Sequence, residues 1–134
     1  MQDCIFCKIV RGELPCYKVY EDESFLGFLD IYPRAVGHTL IIPKKHYRWV
    51  HDVEDGNYWE AVVKVTKAID KALRPEFINY FTFGLDVHHA HFHIIPRYGD
   101  VSSEGIVPGV KKISKEEMSE IAKKIYKEGL NINI

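Results

Sequence analysis

Long apolar runs are missing from this 134-residue chain, and so is any excess of charge of one sign. No stretch approaches the roughly 20 consecutive apolar residues that a membrane-crossing helix needs. The opening MQDCIFCKIV has neither the basic stretch nor the apolar segment of a secretory leader. Eighteen Lys and Arg against nineteen Asp and Glu leave a formal charge of -1, so no global field draws the protein to nucleic acid or to an anionic membrane. A phosphate-bearing ligand would have to be met by local donors. Cysteine is scarce and odd in number, three in all, with two packed as Cys4-x-x-Cys7. That is no disulfide framework; it fits a reducing compartment, and the cytoplasm is the expected location. Internal repeats, low-complexity tracts and Ser/Gly-rich linkers are absent, and the 46% hydrophobic content suits one globular domain over residues 1–134.

Histidine, by contrast, is abundant: seven in all, four of them within His88 to His93. If HHAHFHIIPR is a strand, His89, His91 and His93 share one face while Ala90, Phe92 and Ile94 turn to a core. Three in-line imidazoles admit three readings. They can bind a catalytic zinc. The middle one can attack phosphorus while its neighbours donate to the phosphoryl oxygens. Or they are satisfied surface and core histidines. Spacing does not choose between the first two.

The rest of the chain reads as α+β. Cys4 to Val10 predicts a short helix stopped at Gly12, and Tyr17–Glu21 with Phe25–Leu29 predicts a hairpin turning at Asp22-Glu23. His38–Ile42, Phe77–Phe83 and His89–Ile95 are three further strands, giving an antiparallel sheet of about five. Between them Tyr58, Val62, Val65, Ile69 and Leu73 recur at helical spacing, which predicts a long helix over Val53–Leu73 packed on the sheet, with Pro75 just beyond it. Ser114-Lys115-Glu116-Glu117 has the form of a capping box, and Met118, Ile121 and Ile125 form the stripe of a C-terminal helix stopping at Gly129. Gly99–Lys112, with Gly105, Pro108 and Gly109, reads as a mobile loop.

His89-Ala90-His91-Phe92-His93-Ile94-Ile95 resembles the signature of the histidine-triad (HIT) nucleotide hydrolases and transferases. The likeness extends to Asp3-Cys4-Ile5-Phe6-Cys7-Lys8-Ile9, Tyr20-Glu21-Asp22, Phe28-Leu29-Asp30-Ile31, Gly37-His38-Thr39-Leu40-Ile41-Ile42-Pro43-Lys44-Lys45-His46 and Pro96-Arg97. These occur in family order over a core of about residues 3–98, leaving 99–134 as a C-terminal loop and helix.

The resemblance implies a HIT-like fold and an enzyme that cleaves at the α-phosphorus of a nucleoside phosphoramidate or dinucleoside polyphosphate. His91 would form the nucleotidyl-histidine intermediate, its other ring nitrogen held by a backbone carbonyl, and His93 would donate to the phosphoryl oxygens or the leaving group. Asp30 would accept from the ribose hydroxyls of an AMP-like purine nucleotide, with Ile5, Phe6, Ile9, Leu14, Phe28 and Ile31 forming the slot for the base and His38 near the site. The zinc-bearing branch of the family further implies a structural zinc held by Cys4, Cys7, His46 and His89. It also implies a homodimer, at which Trp49, Tyr58 and Trp59 are candidate aromatics.

The chain departs from the family pattern at several positions. Leu85 stands where many members carry Gln or Asn, so a phosphate-facing amide is missing. Asp86 disfavours an anionic leaving group and favours an amine, or else caps a turn. His88 falls on the far face, where a packing or dimer role is expected, and Asn79 is assigned the role of the family's Asn. Two other functions stay open at this point. One is a zinc-dependent hydrolase with the triad as ligands, against which no Asp or Glu is spaced as a further ligand around His89 to His93. The other is a non-catalytic AMP-binding or adaptor module, which Leu85 keeps in play.

Overall fold

The computed structural model of the protein describes residues 3–99 and 105–132. Its elements run α1 (Ile5–Val10), β1 (Lys18–Glu21), β2 (Phe25–Leu29), β3 (Thr39–Pro43), α2 (Tyr58–Leu73), β4 (Phe77–Phe81), β5 (Phe92–Arg97) and α3 (Lys115–Gly129), with a 3-10 turn at Val50–Asp52. The strands form one antiparallel sheet in the order β1-β2-β3-β5-β4. No described helix is long and apolar enough to cross a membrane.

Helix α2 starts later than its apolar stripe suggested. Gly56 takes φ +67, and the Asn57 side chain caps the first turn by accepting from the Glu60 N–H at 3.0 Å. The helix ends at Arg74, in the left-handed region, one residue before Pro75. Ser114 caps α3 as expected, its hydroxyl accepting from the Glu117 N–H at 3.1 Å, but the Glu117 carboxylate accepts from that hydroxyl at 3.3 Å, so only half of the capping box forms. Gly129 is the last helical residue and not the one beyond it.

The two helices cover one face of the sheet. Val62, Val65 and Ile69 of α2 and Met118, Ile121 and Ile125 of α3 pack with Ile41 and Ile94 into the larger core. The opposite face carries a smaller cluster, Phe6, Leu26, Phe28, Leu40 and Ile42, covered by α1 with Cys16 and Val87 packed beside it. That thinner side is where the histidines lie.

The ladder of β5 begins at Phe92, so of the three triad residues only His93 is in the strand. His89 and His91 precede it in irregular backbone, and the expected His89–Ile95 strand is displaced towards Arg97. Pro96 is tolerated because the Glu76 N–H donates to the Arg97 carbonyl, which directs odd positions of β5 to β4; the Pro96 nitrogen therefore faces the β3 side, where pairing has ended at Thr39 and Ile94. Of the loop expected to be mobile, residues 100–104 lie outside the described residues. Its remainder is anchored: buried Arg97 donates to the carbonyls of Gly105 and Ile106, Arg34 donates to that of Pro108 at 2.8 Å, and the Lys111 N–H donates to that of Pro33.

Candidate active site and metal centre

Main-chain groups fix the hydrogens of the site's imidazoles. A peptide N–H can only donate and a carbonyl can only accept. The Arg34 N–H donates to Nδ1 of His38 at 3.1 Å, so His38 carries its hydrogen on Nε2. That nitrogen is 2.9 Å from Nδ1 of His93, which must accept, leaving His93 with its hydrogen on Nε2. Burial holds both rings neutral, pushing His38 down to about 4 and His93 to about 3. On the other branch, Nδ1 of His91 is 2.8 Å from the His89 carbonyl and donates to it, so Nε2 of His91 keeps its lone pair. Burial is also the main reason that His91 resists protonation.

Packing sets the ring planes. His93 lies between Leu40 and Phe81 in the sheet and stacks on the Phe81 ring at 4.2 Å. The His91 and His93 ring centroids are 5.1 Å apart, and the edge of Phe6 meets His91 at 5.2 Å. An unprotonated imidazole nitrogen thus stands next to a neutral N–H donor. Asp30 completes this side: its Oδ1 accepts from the Tyr32 N–H at 2.9 Å and its Oδ2 lies 3.6 Å from Nε2 of His38. Burial raises the affinity of Asp30 for a proton.

The other residues assigned to the substrate divide. Phe6 and Phe28 are buried in edge contact at 5.5 Å beneath the histidines, Ile9 is half-buried against the same cluster, and Ile5, Leu14 and Ile31 are exposed apolar side chains. Asn79 shares the sheet face of His93 but pairs with Ile95, two positions further along β5, and its Oδ1 accepts from Arg97. Asp86 lines a cavity of about 340 Å³ with Asp3, Cys4, Ile5, His46, Val87 and His88, close enough for its charge to act on His91. His88 is exposed, its Nε2 3.2 Å from the Leu85 carbonyl. Sequence reasoning missed Arg97, a fully buried cation whose partners are an amide oxygen and two carbonyls; its place directly after Pro96 was the available signal.

Cys4, Cys7, His46 and His89 converge, with their ligand atoms all within 4.8 Å of one another. Nδ1 of His89 lies 3.4 Å from Sγ of Cys4 and 3.5 Å from Sγ of Cys7, and Nδ1 of His46 lies 3.3 Å from Sγ of Cys7. A tetrahedron with ordinary zinc–sulfur and zinc–nitrogen bonds has N···S edges of roughly 3.5 Å, so the donor set fits the ion. Nε2 of His89 donates to the Pro43 carbonyl at 2.8 Å, which turns the Nδ1 lone pair towards the sulfurs. Burial and the neighbouring Cys4 push the Cys7 thiol up to about 11, so a thiolate there calls for a cation beside it. Among the described residues no group of three ligand atoms unites His89, His91 and His93; His93 instead groups with Asp30 and His38.

The HIT domain model matches residues 11–100. The chain belongs to the HIT domain family. A HIT-like protein of Methanocaldococcus jannaschii is 40% identical over 129 residues, covering 91% of this chain and 98% of that protein. The adenosine 5'-monophosphoramidase of Schizosaccharomyces pombe is 38% identical over 127 residues, covering 91% and 95%. Among solved structures, a zinc-bound histidine triad family protein from Mycobacterium smegmatis superposes with a TM-score of 0.75 at 27% identity, covering 96% of this chain and 94% of that one. This HIT chain thus carries the five-stranded sheet and the sequence motif of its family, together with a four-donor cluster beside the triad.

Proposed function

We propose that this HIT protein is a nucleotide-binding hydrolase that acts at the α-phosphorus through a nucleotidyl-histidine on His91. The observation that carries the reading is the pairing of tautomers: an unprotonated Nε2 on His91 beside an Nε2–H on His93. The His91 lone pair forms a bond to phosphorus while the bond from phosphorus to the leaving group breaks, and an amine leaving group takes up a proton from water. His93 donates a hydrogen bond to a phosphoryl oxygen as charge grows there. Water then attacks the same phosphorus, releases His91 and gives up a proton. Asp30 accepts from the ribose hydroxyls through its open oxygen, and the exposed Ile5, Leu14 and Ile31 flank the base above Phe6 and Phe28.

The leaving-group side favours phosphoramidates over polyphosphates, because Asp3 and Asp86 line the neighbouring cavity and disfavour further anionic charge. The related phosphoramidase of Schizosaccharomyces pombe supports the same class. Cys4, Cys7, His46 and His89 would hold a structural zinc, which would tie α1 to the segment leading into β5. A homodimer is consistent with the free outer edge of β4, where Trp59 and Tyr80 are exposed and in ring contact at 5.5 Å. Intact-mass analysis after mixing with adenosine 5'-phosphoramidate tests the chemistry. Wild type should show a transient nucleotidyl adduct and release AMP, whereas His91→Ala should do neither; full activity in that variant would refute the nucleophile.

A further inference from the structure

Arg48 is a half-buried cation without an anionic partner. It forms no ion pair and no hydrogen bond among the described residues, and its Nη1 is the one enclosed nitrogen of the guanidinium that lacks a partner. The group is held in place all the same: its central carbon lies 3.6 Å over the Trp49 ring, a stacking that fixes the plane of the fork. Against it packs Gly84. A Cβ on that glycine would come within 3.0 Å of Trp49 and 3.4 Å of Nη1 of Arg48, and φ +73 disfavours any other residue there. The Ala90 N–H donates to the Tyr47 carbonyl at 2.7 Å, which sets the backbone leading into Arg48 beside the backbone leading into His91. Directly after Gly84 stands Leu85, 58% exposed, with a side chain that cannot donate a hydrogen bond.

We infer that Arg48 is the cation that recognises the phosphoryl group presented to His91, supplying from the segment after β3 the polar contact that Leu85 cannot make. The assignment rests on the nucleotidyl-transfer reading and names a residue outside the histidine motif. A planar fork stacked on an indole is preorganised for two phosphate oxygens, and a buried unpaired N–H gains most when an anion arrives. Asp86 lines the neighbouring cavity with Asp3, so the pocket is polarised: cation for the phosphoryl group, carboxylate for the departing amine.

The test compares AMP with adenosine by titration calorimetry on the full chain. Arg48→Gln should weaken AMP about tenfold or more while leaving adenosine within about twofold, since a charge-assisted contact is lost and the base and ribose contacts remain. Arg48→Lys, which keeps the charge, should retain most of the preference for AMP. An equal loss for both ligands, no loss for AMP, or a lysine variant as weak as the glutamine one would each overturn the assignment. The adduct experiment separates the two levels. A wild-type adduct on His91 with AMP binding indifferent to Arg48 sinks this inference alone, whereas no adduct and no AMP preference in wild type sinks the catalytic reading and this inference with it.

Discussion

His38 is the residue through which a fixed peptide N–H sets the hydrogen on His93, and its two nitrogens can be tested one at a time. Asparagine at this position can keep an acceptor near Nδ1 for the Arg34 N–H but cannot reach His93, whereas glutamine can present an amide donor near Nε2. The native contacts are 3.1 Å and 2.9 Å, and the side chain is fully buried. Either change leaves one buried polar group unsatisfied, at about 1–3 kcal/mol, so both variants should lose stability by about 2 kcal/mol in urea unfolding. Their chemistry should differ. Without a donor at its Nδ1, His93 in His38→Asn can hold its hydrogen on either nitrogen. A preference worth about 1.4 kcal/mol is then lost, with about a tenfold fall in phosphoramidate hydrolysis. His38→Gln should retain more of the rate at similar stability. Long-range proton–nitrogen NMR reports the His93 tautomer directly and needs no substrate. If His93 keeps its hydrogen wholly on Nε2 in His38→Asn, or if both variants lose the same activity, the relay from the Arg34 peptide to His93 is wrong.

Three further outcomes are expected. Purified protein should contain about one zinc per chain, and Cys4→Ser with Cys7→Ser should lose both the metal and several degrees of thermal stability; a metal-free wild type of equal stability would refute the site. Arg97→Met should destabilise by about 3 kcal/mol, because Asn79 and the carbonyls of Gly105 and Ile106 lose a charged donor; an unchanged urea midpoint would show that the loop needs no such anchor. Acid should weaken the fold through His38. Its folded value of about 4 lies below the unfolded value of 6.5, so its contribution is complete above pH 6.5 and is lost as pH falls towards 4. Between pH 7 and 4.5 this amounts to about 2–3 kcal/mol. The pH dependence of unfolding should shrink by that much in His38→Asn, and an undiminished slope would assign the acid sensitivity elsewhere.

Local pattern was enough to read the sheet and the long helix, because Val62, Val65 and Ile69 or Phe25–Leu29 express their burial in spacing alone. The start of β5 was not legible. His91 turns its ring back onto the His89 carbonyl, an alternative to regular pairing that alternation of residue types does not reveal. The four candidate metal ligands share one locus as the family resemblance implied, but the contact of His38 with His93 joins positions 55 residues apart and depends on the β3–β5 register. The engagement of Asn79 is non-local in the same way: its oxygen accepts from Arg97, 18 residues away across the β4–β5 pairing. Arg48 escaped notice because a lone arginine in a Lys- and Arg-rich stretch looks like an ordinary solvated charge until its unpartnered nitrogen is seen.

Every hydrogen assigned to His38, His89 and His91 is set by a peptide group: the Arg34 N–H, the Pro43 carbonyl and the His89 carbonyl. A peptide group is the same whichever side chain it carries. Neighbouring positions can therefore drift over evolutionary time, reshaping the pocket for a different base or leaving group, while the proton inventory of the triad is inherited unchanged as long as the backbone keeps its course. A scaffold of this kind separates the chemistry it performs from the molecules on which it performs it.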